Sequence, residues 1–286
     1  MIYFLVPTYG RPEVTKKFLS SLNASVESKY LAIIIDDHPE KVTLKNINQN
    51  SSVQVVSSEK ELWWVGSINL GIKLLFKKYD IKNDDIVVFS NNDVVINQNS
   101  FNKLHQELKK NTNQIIHPRT FDQDMNEVSS GSKILSIFPY ITKHPKNFKD
   151  KKVIIDFGTA RFLMMVGRTL KKIGYVNPDL LQYGGDNDFT LSAKVFHNIN
   201  TFILRDAFCE LDDTETGIKN SNIRNMRVLY KSFFNIKSPN NIHYRYKLFK
   251  KFYGKVGAFF ITLSLTLNSI IKFTFRANVL KKKFNR

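Results

Sequence analysis

Hydrophobic residues in the first third of the chain alternate between short unbroken runs and helical spacings. Residues 2–6, 31–35, 53–56 and 85–89 are compact apolar runs of strand length. Such runs fit strands buried on both faces, as in a parallel sheet. Between them, Val14, Phe18, Leu19 and Leu22 recur at helical spacing, and residues 65–76 read as a second helix. Strands alternating with helices predict an α/β fold, with a mostly parallel sheet flanked by helices and right-handed crossovers.

Ligands of such sheets bind beyond the carboxyl ends of the strands. Three polar clusters fall there: Pro7-Thr8-Tyr9 after the first run, Asp36-Asp37 after the second, and Ser90-Asn91-Asn92-Asp93 after the fourth. Each alone is also what an ordinary turn carries. Together they offer a ring for stacking (Tyr9), a carboxylate that can accept from a base or ribose (Asp37), and a hard oxygen donor for Mg²⁺ or Mn²⁺ (Asp93). The chain has no G-x-G-x-x-G and no G-x-x-x-x-G-K-[ST], which argues against a dinucleotide fold and a P-loop.

A further acidic stretch reads Leu181-Gln182-Tyr183-Gly184-Gly185-Asp186-Asn187-Asp188-Phe189 and leads into a helical pattern. Two glycines permit a sharp turn. Asp188 is the expected N-cap of the helix. That leaves Asp186 available as a general base. Both aspartates serving only as caps is the competing reading. Trp64 beside the helix at 65–76 can stack on a sugar or fill core, and Arg161 can meet a phosphate or sit as a solvated charge.

Charge divides the chain. The net charge is +18, yet no acidic residue follows Glu215, and residues 217–286 hold 16 Lys or Arg. The remaining 27 basic residues face all 25 acids. A near-neutral body at 1–215 and a basic segment at 216–286 are therefore expected as separate domains. One cysteine, Cys209, rules out an internal disulfide and suits a reducing compartment. No leader is apparent at the N-terminus. Residues 243–255 interleave aromatic and basic side chains, as on a helix at an anionic membrane surface. Residues 256–271 form an uncharged stretch of 16, short for a full span, so an interfacial or re-entrant segment is expected. They carry both helical and alternating spacing, and helix is the expectation.

The ordered set F-L-V-P-T-Y-G-R-P, I-I-I-D-D, W-W-V-G-S-I-N-L-G-I, F-S-N-N-D-V and Y-G-G-D-N-D-F resembles the family-2 glycosyltransferases of GT-A fold. The likeness is to bacterial rhamnosyltransferase-like enzymes of surface-polysaccharide synthesis. It covers about residues 1–215. It implies a nucleotide pocket at Pro7, Thr8, Tyr9, Arg11 and Asp37, with Asn69, Asn91 and Asn92 on the donor side. It also implies a metal ligand at Asp93, Mg²⁺ or Mn²⁺ as cofactor, and Asp186 as catalytic base. Residues 158–165 resemble the strand on the acceptor side, where Trp64, Arg161, Gly185 and Asp188 also fall.

The likeness implies an inverting transfer from a nucleotide-sugar donor to a glycan or lipid-linked acceptor. It further implies a cytoplasmic enzyme, peripheral on the inner face of the membrane. Three positions depart from the family pattern. Asn91 replaces the first acid of D-x-D, Gly185 replaces the usual acid before Asp186, and no metal-binding His follows, with Asp213 the nearest candidate. A metal-dependent nucleotidyltransferase would share the aspartates but not need the Asp186 turn. A nucleic-acid-binding protein would share the basic charge but not an acidic rim, and no nucleic-acid partner is expected.

Overall fold

The computed structural model describes residues 1–212, 223 and 225–284. Two compact units make up the chain. The first comprises Met1–Lys133, Lys143–Leu181 and Gly185–Thr214; the second comprises Ile134–Thr142, Gln182–Gly184 and Glu215–Arg286.

In the first unit, β1 (Ile2–Thr8), β2 (Tyr30–Asp36), β3 (Val53–Ser57) and β4 (Ile86–Ser90) are parallel, in the order β3-β2-β1-β4. Phe4, Leu5, Val6 and Ile33 to Ile35 are fully inaccessible. Burial on both faces is why these strands are unbroken apolar runs rather than alternating ones. Helices α1 (Pro12–Ser25), α2 (Val42–Asn46) and α3 (Trp63–Lys77) make the connections. Pro12 starts α1, where its fixed φ and missing N–H cost nothing. Gly71 lets α3 lie close on β1, since a β-carbon there would stand 2.9 Å from a methyl of Leu5.

The second half of the sheet is mixed. After β5 (Val94–Ile96) and α4 (Gln98–Lys110) come β6 (Gln114–Phe121), β7 (Glu127–Val128), β8 (Gly131–Ser136), β9 (Ile141–Lys143), β10 (Lys152–Ile155), β11 (Phe157–Gly158) and β12 (Phe162–Val166). They are followed by α5 (Gly167–Ile173), α6 (Gly185–His197) and β13 (Asn200–Leu211). The main sheet runs β10-β13-β6-β12-β4-β1-β2-β3, with β12 antiparallel to both its neighbours. The stretch at 158–165, expected to be one strand, is two strands joined by a turn at Thr159 to Arg161. Because β12 opposes β4, its first residue Phe162 pairs with Ser90, the last residue of β4. That turn therefore arrives at the same rim as the carboxyl end of β4.

The second unit holds α7 (Met226–Ser232) and the long α8 (Ile242–Phe284), which breaks its helical geometry at Gly254 (φ 68°). Residues 256–271 are helical, as expected. The surface-helix reading of 243–255 needs correction. Tyr244, Leu248 and Phe249 are buried, and the Phe249 ring lies 4.8 Å from that of Tyr140. These apolar side chains close a small core instead of facing lipid. Ile223, Leu229 and Phe233 form a second cluster with Ile242, Ile270 and Phe273 against it.

Candidate active site

The rim is built first from β1. The Thr8 hydroxyl donates toward Ile35 O (3.3 Å) and Thr43 Oγ1 (3.1 Å) and is buried. It stitches β1 to β2 and α2. Tyr9 is 45% exposed, with its ring 4.9 Å from that of His38. Gly10 follows with φ 64°, and a β-carbon on it would meet His38 at 2.7 Å. The loop thus presents one open aromatic face beside an imidazole. Arg11 donates to Asn92 Oδ1 at 3.4 Å, while the Asn92 amide donates to Thr15 Oγ1 at 2.9 Å. Asn92 is only 3% exposed, so it ties the β4–β5 turn to α1.

The two aspartates after β2 divide their labour. Asp36 is inaccessible and accepts from the amides of His38 (3.2 Å) and Leu44 (2.9 Å). Asp37 accepts from the amides of Leu62 (2.6 Å) and Trp63 (2.7 Å). It thus caps α3 from twenty-five residues upstream, where a helix N-terminus favours an anion. Trp63 sits at φ 57°, a left-handed conformation unusual for a bulky residue. Burial raises the Asp37 pKa, against the lowering effect of these two amides.

Asn69 makes a two-way clamp within the same unit. Its side-chain NH₂ donates to Val176 O and its carbonyl oxygen accepts from Val176 N, both at 2.9 Å. Its amide therefore holds α3 to the segment that leads toward α6.

At the end of β4, Asn91 N donates to Arg161 O at 3.2 Å. Asp93 O accepts from Asp212 N at 2.7 Å, extending the β5–β13 pairing. The Asp212 carboxylate is held by Lys17 (2.8 Å) and Gln123 (3.0 Å). Among the described residues no group of three or more His, Cys, Asp or Glu side chains could hold a metal. Asp213 lies outside the described residues.

Helix α6 starts at Gly185, immediately after Gly184 with φ 88°. Asp186 and Asp188 both lie in its first turn. Asp188 is thus not the cap; it is buried within that first turn, where the helix dipole favours its charge. Asp186 Oδ1 accepts from Asn187 N at 2.9 Å, and Oδ2 from Ala160 N at 3.3 Å. Burial pushes its pKa up; the two amides and nearby Arg161 pull the other way. Gly185 has a steric reason. A β-carbon there would stand 2.4 Å from Val65 Cγ2, 3.1 Å from Val176 and 3.2 Å from the Trp64 ring. Trp64 and Val65 therefore fill the space that an acid before Asp186 would need.

Residues 3–168 match the sequence model described as glycosyl transferase family 2. The chain belongs to that family. It is 26% identical over 96 residues to the rhamnosyltransferase WbbL of Escherichia coli K12, a match spanning 34% of this chain and 36% of the relative. A crystal structure of GalNAc-T7 with UDP, GalNAc and Mn²⁺ superposes with TM-score 0.56 at 10% identity, covering 89% of this chain and 52% of that one. S. aureus TarS gives TM-score 0.52 at 14% identity, covering 89% of this chain and 43% of that one. The chain thus spans about half or less of these relatives' length. The fold shared with these structures is GT-A.

In this family-2 chain, the turn at Thr159 to Arg161 does most that the sequence did not signal. Arg161 O accepts from Asn91 N and from the Ser90 hydroxyl (3.0 Å), while the preceding amide donates to Asp186. The Arg161 side chain donates to Ser129 O at 2.6 Å. His117 is fully buried, with Nε2 3.1 Å from the Thr159 hydroxyl, and burial pushes its pKa down to about 4. These contacts run through backbone atoms and a lone histidine, so no spacing in the sequence could have signalled them.

Proposed function

We propose that this glycosyltransferase moves a hexosyl or deoxyhexosyl group from a nucleoside-diphosphate donor to a hydroxyl of a glycan or lipid-linked saccharide, with inversion, in surface-polysaccharide synthesis. The observation that carries it is Asp186. Its carboxylate stands in the first turn of α6, oriented on both oxygens by amides and desolvated.

A hydroxyl becomes a competent nucleophile when its proton is taken in the transition state, and a positioned carboxylate does this. A base whose pKa is raised toward the working pH accepts the proton more readily. Double displacement would need a second carboxylate as nucleophile. Asp188 is buried inside the helix turn and unsuited to that part. One base then favours a single displacement from the opposite face, with inversion. Tyr9 offers its exposed face to a base ring, and Pro7 and the loop backbone shape that pocket.

The donor set at the β4–β5 turn consists of oxygens, with the single carboxylate of Asp93 in the Asn91-Asn92-Asp93 motif. That fits Mg²⁺ or Mn²⁺, ions commonly held by one or two carboxylates plus substrate phosphates and water. Such an ion, when bound, offsets charge on the departing diphosphate. The bound Mn²⁺ and UDP named for GalNAc-T7 support this reading. Arg161, near Asp186, adds positive charge on the same side. A lipid-linked acceptor fits a cytoplasmic enzyme, peripheral on the inner face of the cell membrane. Incubation with a panel of sugar nucleotides and lipid-linked acceptors, with anomeric analysis of products, tests the proposal. A retained anomeric configuration would overturn inversion, and no transfer from any donor would overturn the activity.

A further inference from the structure

The second unit carries an apolar face assembled from two distant pieces of sequence. On α8, Val256, Phe259, Phe260, Leu263, Leu267 and Ile271 are all exposed. They recur at helical spacing and so share one side of the helix. At 1.5 Å per residue the stripe runs about 22 Å. On the other side Ala258 and Ile261 are inaccessible. At the C-terminal end Ile270 and Phe273 pack on the Ile223, Leu229 and Phe233 cluster.

The second piece is the β8–β9 tip. Residues 134–142 form an uncharged stretch of nine bounded by Lys133 and Lys143. Tyr140 anchors it: its ring is buried against Phe249, and its amide donates to Ser264 Oγ at 3.2 Å. Phe138 meets the edge of Phe260 with ring centroids 6.4 Å apart. Phe138 nevertheless stays 60% exposed, and Leu135 and Ile141 are exposed beside it in sequence. Hairpin and helix therefore form one surface.

We propose that this composite face, flanked by lysines and not by the buried aromatics of residues 243–255, seats the protein on anionic lipid. The inference rests on the peripheral reading above and names its contact surface. Charge selects the occupant. Lys250, Lys251, Lys255 and Lys272 are exposed on α8, and neither residues 134–142 nor 216–286 contain an acid. Exposed lysines toward both ends of an apolar stripe suit an anionic headgroup layer with a shallow apolar floor. A second copy would bring lysines against lysines with no carboxylate in reach, which opposes association. Length and composition would let α8 cross a membrane. Its inaccessible Ala258 and Ile261 meet protein on one side, which favours lying in the interface instead.

The test uses the full chain with a fluorophore on Phe138→Cys, Phe259→Cys or, as control, Lys110→Cys. The native Cys209 thiol is buried and pushed up to about 12, so it stays unlabelled. With phosphatidylglycerol-containing vesicles, labels at 138 and 259 should shift to the blue and be quenched by nitroxide lipids, while the label at 110 should not. Binding should weaken about tenfold or more with neutral phosphatidylcholine vesicles, and likewise in Phe138→Ser/Phe259→Ser. Vesicle binding without quenching at 138 and 259 would overturn this face but leave the peripheral reading standing. No vesicle binding at all would overturn both. Blue-shifted labels in a lipid-free dimer would assign the face to a second copy and overturn the proposal.

Discussion

The amide of Ala160 donates to Oδ2 of Asp186 at 3.3 Å, and the next carbonyl, on Arg161, accepts from Asn91. Two consecutive residues, Ala160 and Arg161, thus join the proposed base to the metal-motif turn. Asp186→Asn keeps the shape of the side chain but cannot take a proton. Its turnover should fall by about 10² to 10⁴, with donor affinity unchanged by calorimetry. Burial raises the folded pKa of Asp186 above 3.8, so the folded state holds this proton more tightly than the unfolded chain. The carboxyl thus favours folding at low pH and opposes it as pH rises through the folded value. Asp186→Asn should therefore be no less stable than the parent at neutral pH in urea titrations. The acid limb of kcat/KM in the parent should lie above pH 3.8.

Gly185 and Val65 exclude one another's bulk. Gly185→Ala puts a methyl 2.4 Å from Val65 Cγ2, which should cost about 1–3 kcal/mol. Val65→Ala in the same chain should recover part of that loss. Additive costs in a thermal-unfolding double-mutant cycle would refute the steric account.

Asp93 should be needed for catalysis and not for folding. Asp93→Asn should abolish transfer while leaving the circular dichroism spectrum and melting temperature near those of the parent. EDTA should stop transfer in the parent and Mg²⁺ or Mn²⁺ restore it. Full activity in EDTA would remove the metal from the mechanism.

His117 should make the fold acid-sensitive. Its folded pKa is lowered from 6.5 to about 4, so its neutral form is favoured by folding. That contribution is complete above 6.5 and is lost as pH falls toward 4, amounting to up to about 3 kcal/mol. Asp186 acts in the opposite sense, so the comparison belongs in the Asp186→Asn background. There, stability between pH 6.5 and 4 should fall more steeply with His117 than with His117→Gln. Parallel slopes would count against it.

The chain alone determined the parallel half of the sheet. In β2 and β4 every residue is buried, and in β1 every residue but Pro7; burial on both faces writes itself as an unbroken apolar run. Asp186, Asp93 and Tyr9 were legible as candidates because glycine turns and strand-end polar clusters are local signals. Their partners were decided by the tertiary structure. Asp37 caps α3 rather than standing open, Asn69 clamps Val176, and Asp188 lies inside its helix, because each oxygen is claimed by an amide distant in sequence or by a helix that starts earlier. The antiparallel placement of β12 brings Ala160 and Arg161 to the rim through backbone atoms, which any side chain there would offer alike. The aromatics at 243–255 share their lysine-rich composition with a lipid-facing helix, and only tertiary packing turned Tyr244 and Phe249 inward, Phe249 against Tyr140. Amphipathic spacing states that a face will be buried, while what buries it depends on which distant segment the tertiary fold brings there.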